Sequence, residues 1–478
     1  MKHIYSFLVL ILVYAGSYCQ IPCENGFAGQ YPCNDFDLMS QIDLNTLSAS
    51  DGNDSWGWTD PEDGKEYALM GLSNGTAFID ISNPTQPVYL GKLPTHTQSS
   101  IWRDVKVYNN YAFIVSEAPG HGMQIFDLTR LRNVSNAPAT FDEDKHYDGF
   151  GGAHNIVINP GQPYAYAVGT RIDGVPSFDG GPHIVDISDP LEPVFAGSYS
   201  GSFYTHDAQV VTYNGPDPDY AGREIFLGSN ADEVVFVDVT DKSNPVLISD
   251  ISYTNSIYTY THQGWLTEDQ RYFFLGDEFD EKDFGNDTKT LIFDLEDLDN
   301  PVLDHEYFGP TAAIDHNGYI KGDIFYLSNY TAGLRMLDIS GVGDEEVNEV
   351  GYFDTYPESN SADFNGVWSN YPYFESGNIV ISDINRGFFL IRKSGTLETS
   401  DFEDQDFKIF PNPASSYVTV LNAEEDIQKI EIFNLLGQKI FSKAYQDEKQ
   451  IQVNLEAYDS GLYLLKINNY FTRKLMIK

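Results

Sequence analysis

The sequence predicts an all-β chain, a seven-bladed β-propeller followed by a small Ig-like β-sandwich. Three observations carry that prediction. A short pattern returns seven times, starting at Ser55, Arg103, His154, His206, His262, His316 and Phe364, with spacings of 48, 51, 52, 56, 54 and 48 residues. Aromatic residues reach 14% of the chain and gather in short runs bounded by Gly, Pro, Asn and Asp, as strands and their turns do. After the seventh unit the pattern stops and a different strand-rich stretch begins. A period near fifty with β-type sequence inside each unit marks four-stranded blades arranged round one channel.

Residues 1–19 read as a secretory signal: Lys2 and His3 precede the apolar run FLVLILVYAG, which is too short to span a bilayer. Cleavage is expected after Cys19, where Ser17 and Cys19 are small. A lipoprotein reading would lipidate Cys19, but the bulky Tyr18 counts against it. No other segment is long and apolar enough to cross a membrane. Cys23 and Cys33 remain in the exported chain and are expected to form a disulfide, the alternative being two free thiols.

The propeller is assigned to residues 20–392. Each unit opens with its motif (SWGWT, RDVKV, HNIVI, HDAQVV, HQGWL, HNGYI or FNGVW), which begins the first strand. Second strands follow, such as YALMGL from Tyr67 and YFFLGDE from Tyr272, then third strands such as TAFIDIS and LIFDLE. A Pro turn and a fourth strand close most units. The third strand ends in Asp80, Asp127, Asp186, Asp238, Asp294 and Asp338, with Arg392 in the last unit. These acids are expected to start turns by accepting backbone N–H bonds, rather than to form a ring of carboxylates. The last unit lacks a fourth strand, and DFDLMSQIDLNTL from Asp35 is expected to supply it, leaving no open edge.

Residues 393–407 are polar and acidic and read as a linker. Residues 408–478 then alternate short strands with Asn, Pro and Gly turns, which suggests the sandwich.

Acidic residues outnumber basic ones 71 to 28, for a net charge of -43. That charge argues against nucleic acid and against anionic membranes as partners. It suits an exported protein or divalent cations, and most of the acid solvates the surface.

In a propeller, first-strand starts and second-strand ends share one face. That face should gather His154, His206, His262 and His316 with Arg103, Asp104, Asp207, Glu117, Asp277 and Glu278. Imidazole and carboxylate at close quarters bind metals such as Zn, Mn or Fe, transfer protons, or satisfy one another as a buried network. The residues alone leave the three open. The run DEFDEKDFGND, Asp277 to Asp287, offers oxygen ligands for Ca but lacks the fixed Gly and terminal Glu of the twelve-residue calcium loop. A solvated acidic loop is the competing reading. Neither GxSxG nor HExxH occurs.

Two resemblances add to this. PNP at Pro411, Asn412 and Pro413, IEIFNLLGQ from Ile430 and SGLYLLKI from Ser460 resemble the type A sorting domain of proteins exported by the type IX secretion system of Bacteroidetes. This implies contact with that machinery, passage across the outer membrane of a Gram-negative cell, and a secreted or surface-attached product. WRDVKVYNNYAFIVSEAPGHGMQIFDLTRLR, THQGWLTEDQRYFFLGDE and NYTAGLRMLDIS, within residues 23–395, resemble the choice-of-anchor B family, whose blades carry LVIVD-type repeats. That resemblance implies architecture and address, not chemistry. The reading that follows is a secreted propeller that binds an extracellular ligand at its His-rich face. The alternatives are a metal-dependent enzyme at the same face, or a purely structural or adhesive surface protein.

Overall fold

Every one of the seven sequence repeats forms a sheet of its own, and the seven sheets follow one another round a ring. The computed structural model describes residues 20–253, 260–395, 407–422, 426–434, 439–455, 457–458, 460–468 and 471–478. The expected signal segment and most of the linker lie outside these residues. The chain divides into two compact units, residues 1–395 and 396–478.

The first strands of sheets one to seven are Gly52–Thr59, Arg103–Tyr108, Asn155–Ile158, Asp207–Thr212, Thr261–Leu266, Gly318–Lys321 and Val367–Tyr371. Each neighbours the next, and Val367–Tyr371 returns to Gly52–Thr59, which closes the ring around a central channel. The core strands of a sheet pair antiparallel, in sheet four in chain order as Asp207–Thr212, Glu224–Asn230, Glu233–Asp238 and Val246–Ile251, while the short strand Ala139–Thr140 adds to sheet one in parallel. The fourth strand of sheet seven is Phe36–Ile42, which pairs with Gly387–Lys393, Asp37 opposite Arg392. The two ends of the propeller sequence therefore share one sheet.

Alternation explains the core. The middle strands are apolar on both faces, so each sheet buries one set of side chains against the sheet before it and the other against the sheet after it. Phe113 and Val115 of sheet two pack with Ile156 and Ala165 of sheet three, while Val105 and Ile114 turn back to Leu69 and Phe78 of sheet one. Seven such clusters run round the ring, the last joining Val380 and Leu390 of sheet seven to Met70 and Ile79 of sheet one. At about 25 cal/mol per Å² of apolar surface, these junctions are the main source of stability.

The turn-starting acids behave as anticipated from sequence. Asp80, Asp127, Asp186, Asp238, Asp294 and Asp338 each accept the backbone N–H two residues on, at 2.9 Å. Cys23 and Cys33 are joined by a disulfide. It braces Tyr31–Asn34, which pairs with the outer strand Glu346–Phe353 of sheet six and so covers that edge.

In the C-terminal unit, three strands (Lys408–Phe410, Tyr417–Leu421, Gln450–Asn454) and four (Lys439–Glu448, Ile427–Phe433, Gly461–Ile467, Phe471–Ile477) form two sheets. They share one core, with Val418, Val420 and Ile451 from the first and Ile430, Leu465 and Leu475 from the second.

Candidate functional site

The four repeat-opening histidines form a continuous row. Ring centroids lie 4.1 Å apart for His154 and His206, 4.3 Å for His206 and His262, and 4.2 Å for His262 and His316. Each starts or just precedes the first strand of its sheet, so the ring closure stacks the imidazoles at one end of the channel.

First strands of neighbouring sheets splay apart and form no ladder. Polar side chains join them instead. Asp104 accepts from the Ile156 N–H at 2.8 Å, the Asn155 amide donates to the His206 carbonyl at 3.0 Å, and Gln263 exchanges two bonds with Gly318. Two histidines take part: His206 Nδ1 donates to the His262 carbonyl at 3.0 Å, and His316 Nδ1 donates to the Trp368 carbonyl. A carbonyl only accepts, so each Nδ1 carries the proton and each Nε2 keeps its lone pair. Of the residues that follow the histidines, Asn155 and Gln263 hold backbone rather than imidazole.

Second-strand ends supply carboxylates. Glu117 Oε1 lies 2.7 Å from His154 Nδ1. Glu278 stands between two rings, 3.8 Å from His262 Nε2 and 3.7 Å from His316 Nε2, and accepts from the Tyr330 hydroxyl at 2.7 Å. Burial and the neighbouring imidazoles hold His206 and His262 well below the usual range, and burial holds His316 down to about 4. All three are neutral at pH 7. Burial raises Glu278 to about 7. On Glu117 burial acts upward, but the hydrogen bond and charge of His154 outweigh it and hold the carboxyl below its ordinary value. His262 Nδ1 is buried without a partner among the described residues. Ligand atoms of His206, His262 and Glu278 all lie within 4.8 Å of one another, a spacing that fits a transition-metal ion.

Deeper in the channel lies a charged layer. Lys106 Nζ is buried, 2.5 Å from Asp104 and 3.2 Å from Asp54, and sits 4.7 Å over the Trp56 ring. Burial drives Asp104 well above the usual carboxylate range and Asp207 to about 7; at Asp54 burial also acts upward, but Lys106 together with hydrogen bonds from Asp104, Ser369 and the Ser55 N–H holds it low. At the far end the channel widens into a cavity of about 730 Å³ lined by Trp56, Trp58, Trp265, Tyr371 and Tyr373, with Lys106 among its wall residues.

Two expected members stand elsewhere. Arg103 is one pleat out of phase with Asp104, so its guanidinium leaves the channel. It donates to the Leu72 carbonyl and to Thr95, with Nη1 2.9 Å from His121 Nε2. Asp277 is taken up away from the imidazoles, accepting from the Phe279 N–H of its own loop and from the Tyr260 N–H and Tyr253 hydroxyl ahead of sheet five. Asp104 and Asp207 face the channel but lie in the Lys106 layer. Sequence reasoning missed Lys106, Asp54 and Tyr330. The spacing of Asp104 and Lys106, two apart on one strand, was the available signal.

Residues 65–95, 102–125 and 175–201 match the LVIVD repeat, in the first three sheets. Residues 408–478 match the secretion system C-terminal sorting domain. An endo-acting ulvan lyase of Formosa agariphila is 29% identical over 189 residues, 33% of this chain and 36% of that enzyme. The chain thus spans about a third of that relative's length. The propeller domain of Cps50 (Swd1) from Myceliophteria thermophila aligns at 11% identity with a TM-score of 0.45, covering 68% of this chain and 93% of that one. A functionally unknown protein of Desulfotomaculum acetoxidans aligns at 14% with a TM-score of 0.43, covering 65% and 87%. No described helix is long and apolar enough to cross a membrane. The chain carries LVIVD repeats in an all-β propeller and ends in a sorting domain that directs export by the type IX secretion system.

Proposed function

We propose that the exported propeller holds one divalent transition-metal ion at its channel mouth and uses it to bind an extracellular ligand. The ion is held by Nε2 of His206, Nε2 of His262 and the Glu278 carboxylate, with His316 Nε2 beside them. The observation that carries this reading is the mutual approach, within 4.8 Å, of donor atoms from His206, His262 and Glu278. The backbone bonds of His206 and His316 support it, because they fix the rings and leave Nε2 basic, as partners of metal-bound imidazoles do. Neutral imidazoles with one carboxylate suit zinc, manganese or iron. Three protein ligands leave coordination positions for a ligand entering from the mouth. The chain is in this reading a choice-of-anchor B protein acting outside the cell.

Elemental analysis of the purified mature chain after zinc loading and desalting tests this. One tightly held ion per chain is expected, and none in the double variant His206→Ala/His262→Ala, with the fold intact by circular dichroism. A protein that retains no metal, and a double variant that only melts lower, would return the cluster to a structural network.

A further inference from the structure

A second group of acids, independent of the channel mouth, is buried where sheet five meets sheet six. The turn after Tyr272–Asp277 forms the short helix Asp280–Phe284, whose first two side chains point inward: Asp280 is 1% and Glu281 2% exposed. Asp315, on the segment entering sheet six, is 0% exposed. A carboxylate buried to this degree needs a donor at each oxygen.

The donors run short. Lys289 Nζ lies 2.6 Å from Asp280 Oδ2, the Lys289 backbone N–H donates to Glu281 Oε1 at 2.8 Å, and the Thr290 hydroxyl donates to Asp315 Oδ2 at 3.2 Å. Asp280 Oδ1, Glu281 Oε2 and Asp315 Oδ1 are buried and meet no donor among the described residues. Asp280 and Glu281 also face each other within hydrogen-bonding reach. Among the described residues Lys289 is the one cation in contact with this trio, one ammonium against three carboxyl groups. The acids Asp217, Asp297 and Asp299, the first buried and the other two exposed, make a contrast. They also cluster, but they accept from the N–H groups of Asp219, Leu298 and Asp299 and from the Tyr220 hydroxyl, and need no ion.

We propose that Asp280, Glu281 and Asp315 bind a calcium ion that ties sheet five to sheet six. The unpartnered donors are all carboxylate oxygens, which select a hard cation over the transition metals that imidazole attracts. The three oxygens do not close round one point. Asp280 and Glu281 form the core, and Asp315 joins directly or through a water, which the loose six- to eight-fold coordination of calcium tolerates better than magnesium's strict octahedron. One proton shared between Asp280 and Glu281 is the competing answer, but it leaves Asp315 Oδ1 unmatched. Calcium sites of extracellular modules work at Kd values of about 10⁻⁴–10⁻³ M, so a moderate site suffices outside the cell.

Equilibrium dialysis of the full mature chain against radioactive calcium, with parallel melting curves, tests this. Wild type is expected to bind one calcium that Glu281→Gln and Asp315→Asn each weaken at least tenfold. Millimolar calcium should raise the wild-type Tm by several °C over chelated protein, and leave the variants unmoved. His206→Ala/His262→Ala should keep its calcium, and the two acid variants their zinc, so this site and the channel metal fail separately. Absence of calcium binding by wild type, or binding that survives both substitutions, overturns the proposal. So does a wild-type Tm indifferent to calcium, a result that needs no variant to fold.

Discussion

Lys106 shows how much one side chain decides in the channel. Its ammonium stands between Asp104 and Asp54, both buried. Removing one partner of a buried ion pair leaves uncompensated charge and costs about 3–5 kcal/mol. Lys106→Met is therefore expected to lower the urea-unfolding free energy by that amount at pH 7, and adding Asp104→Asn to restore part of it. A Lys106→Met protein as stable as wild type would mean that the two carboxylates take up protons at no cost. His183 makes a second test. Its Nε2 is 2.8 Å from the Tyr147 hydroxyl, and Phe150, Phe178 and Phe195 surround the ring. Burial lowers its pKa from 6.5 to about 4. Below pH 6.5 the unfolded chain takes up a proton that the folded chain refuses. The stability is whole above that pH and is lost as pH falls towards about 4. Relative to His183→Gln, wild type should lose a few kcal/mol between pH 7 and pH 4. Groups that titrate in both proteins cancel in the difference; parallel pH profiles would refute the assignment.

At the scale of elements, the weak point of a ring is its closure. Phe36–Ile42 lies in the same sheet as Gly387–Lys393 although more than three hundred residues separate them. Met39 and Ile42 pack with Phe388 and Leu390, and Leu38 with Phe389 and Ile391. A chain starting at Ser48 should expose the backbone edge of Gly387–Lys393 and aggregate, because an unpaired strand edge recruits other chains. Cys23→Ser/Cys33→Ser is the milder change. The disulfide closes a loop between residues 10 apart, so its loss should cost about 2–3 kcal/mol and leave the fold in place. Size-exclusion chromatography and denaturant titration separate the two outcomes. A monomeric, folded truncation would mean that closure is not what holds the ring.

At the scale of the molecule, the two units have separate cores. Phe407, Val418, Ile430 and Leu465 of the second unit form a cluster of their own. The propeller should therefore fold without the sorting domain, with an unchanged melting transition. Deleting residues 408–478 should leave it inside the cell, as immunoblots of periplasm and medium would register. Normal appearance of the truncated chain in the medium would remove export from that domain's role. Charge belongs to this scale too. A balance of -43 keeps the exported protein soluble and draws divalent cations towards it, but it does not choose where they bind.

The sequence by itself determined the repeat, the strand order within each sheet, the turn-starting acids and the borrowed closing strand. These rest on local periodicity and on spacing that recurs seven times, and both survive in a single chain read residue by residue. It also brought His154, His206, His262 and His316 to one end, because equivalent repeat positions become equivalent places in the ring. Only the tertiary structure decided the rest. Arg103 and Asp104 are neighbours in sequence, yet the pleat sends one out of the channel and the other in, and that phase is set where the strand joins its sheet. Asp277 and Glu278 part in the same way, one away from the imidazoles and one towards them. The proton positions on His206 and His316 depend on carbonyls of the following sheet, more than fifty residues on. Asp315 stands beside Asp280 and Glu281 only because sheet six packs on sheet five. No local pattern records which side chains cross from one sheet to the next, since the splay between sheets, not the sequence interval, fixes their reach.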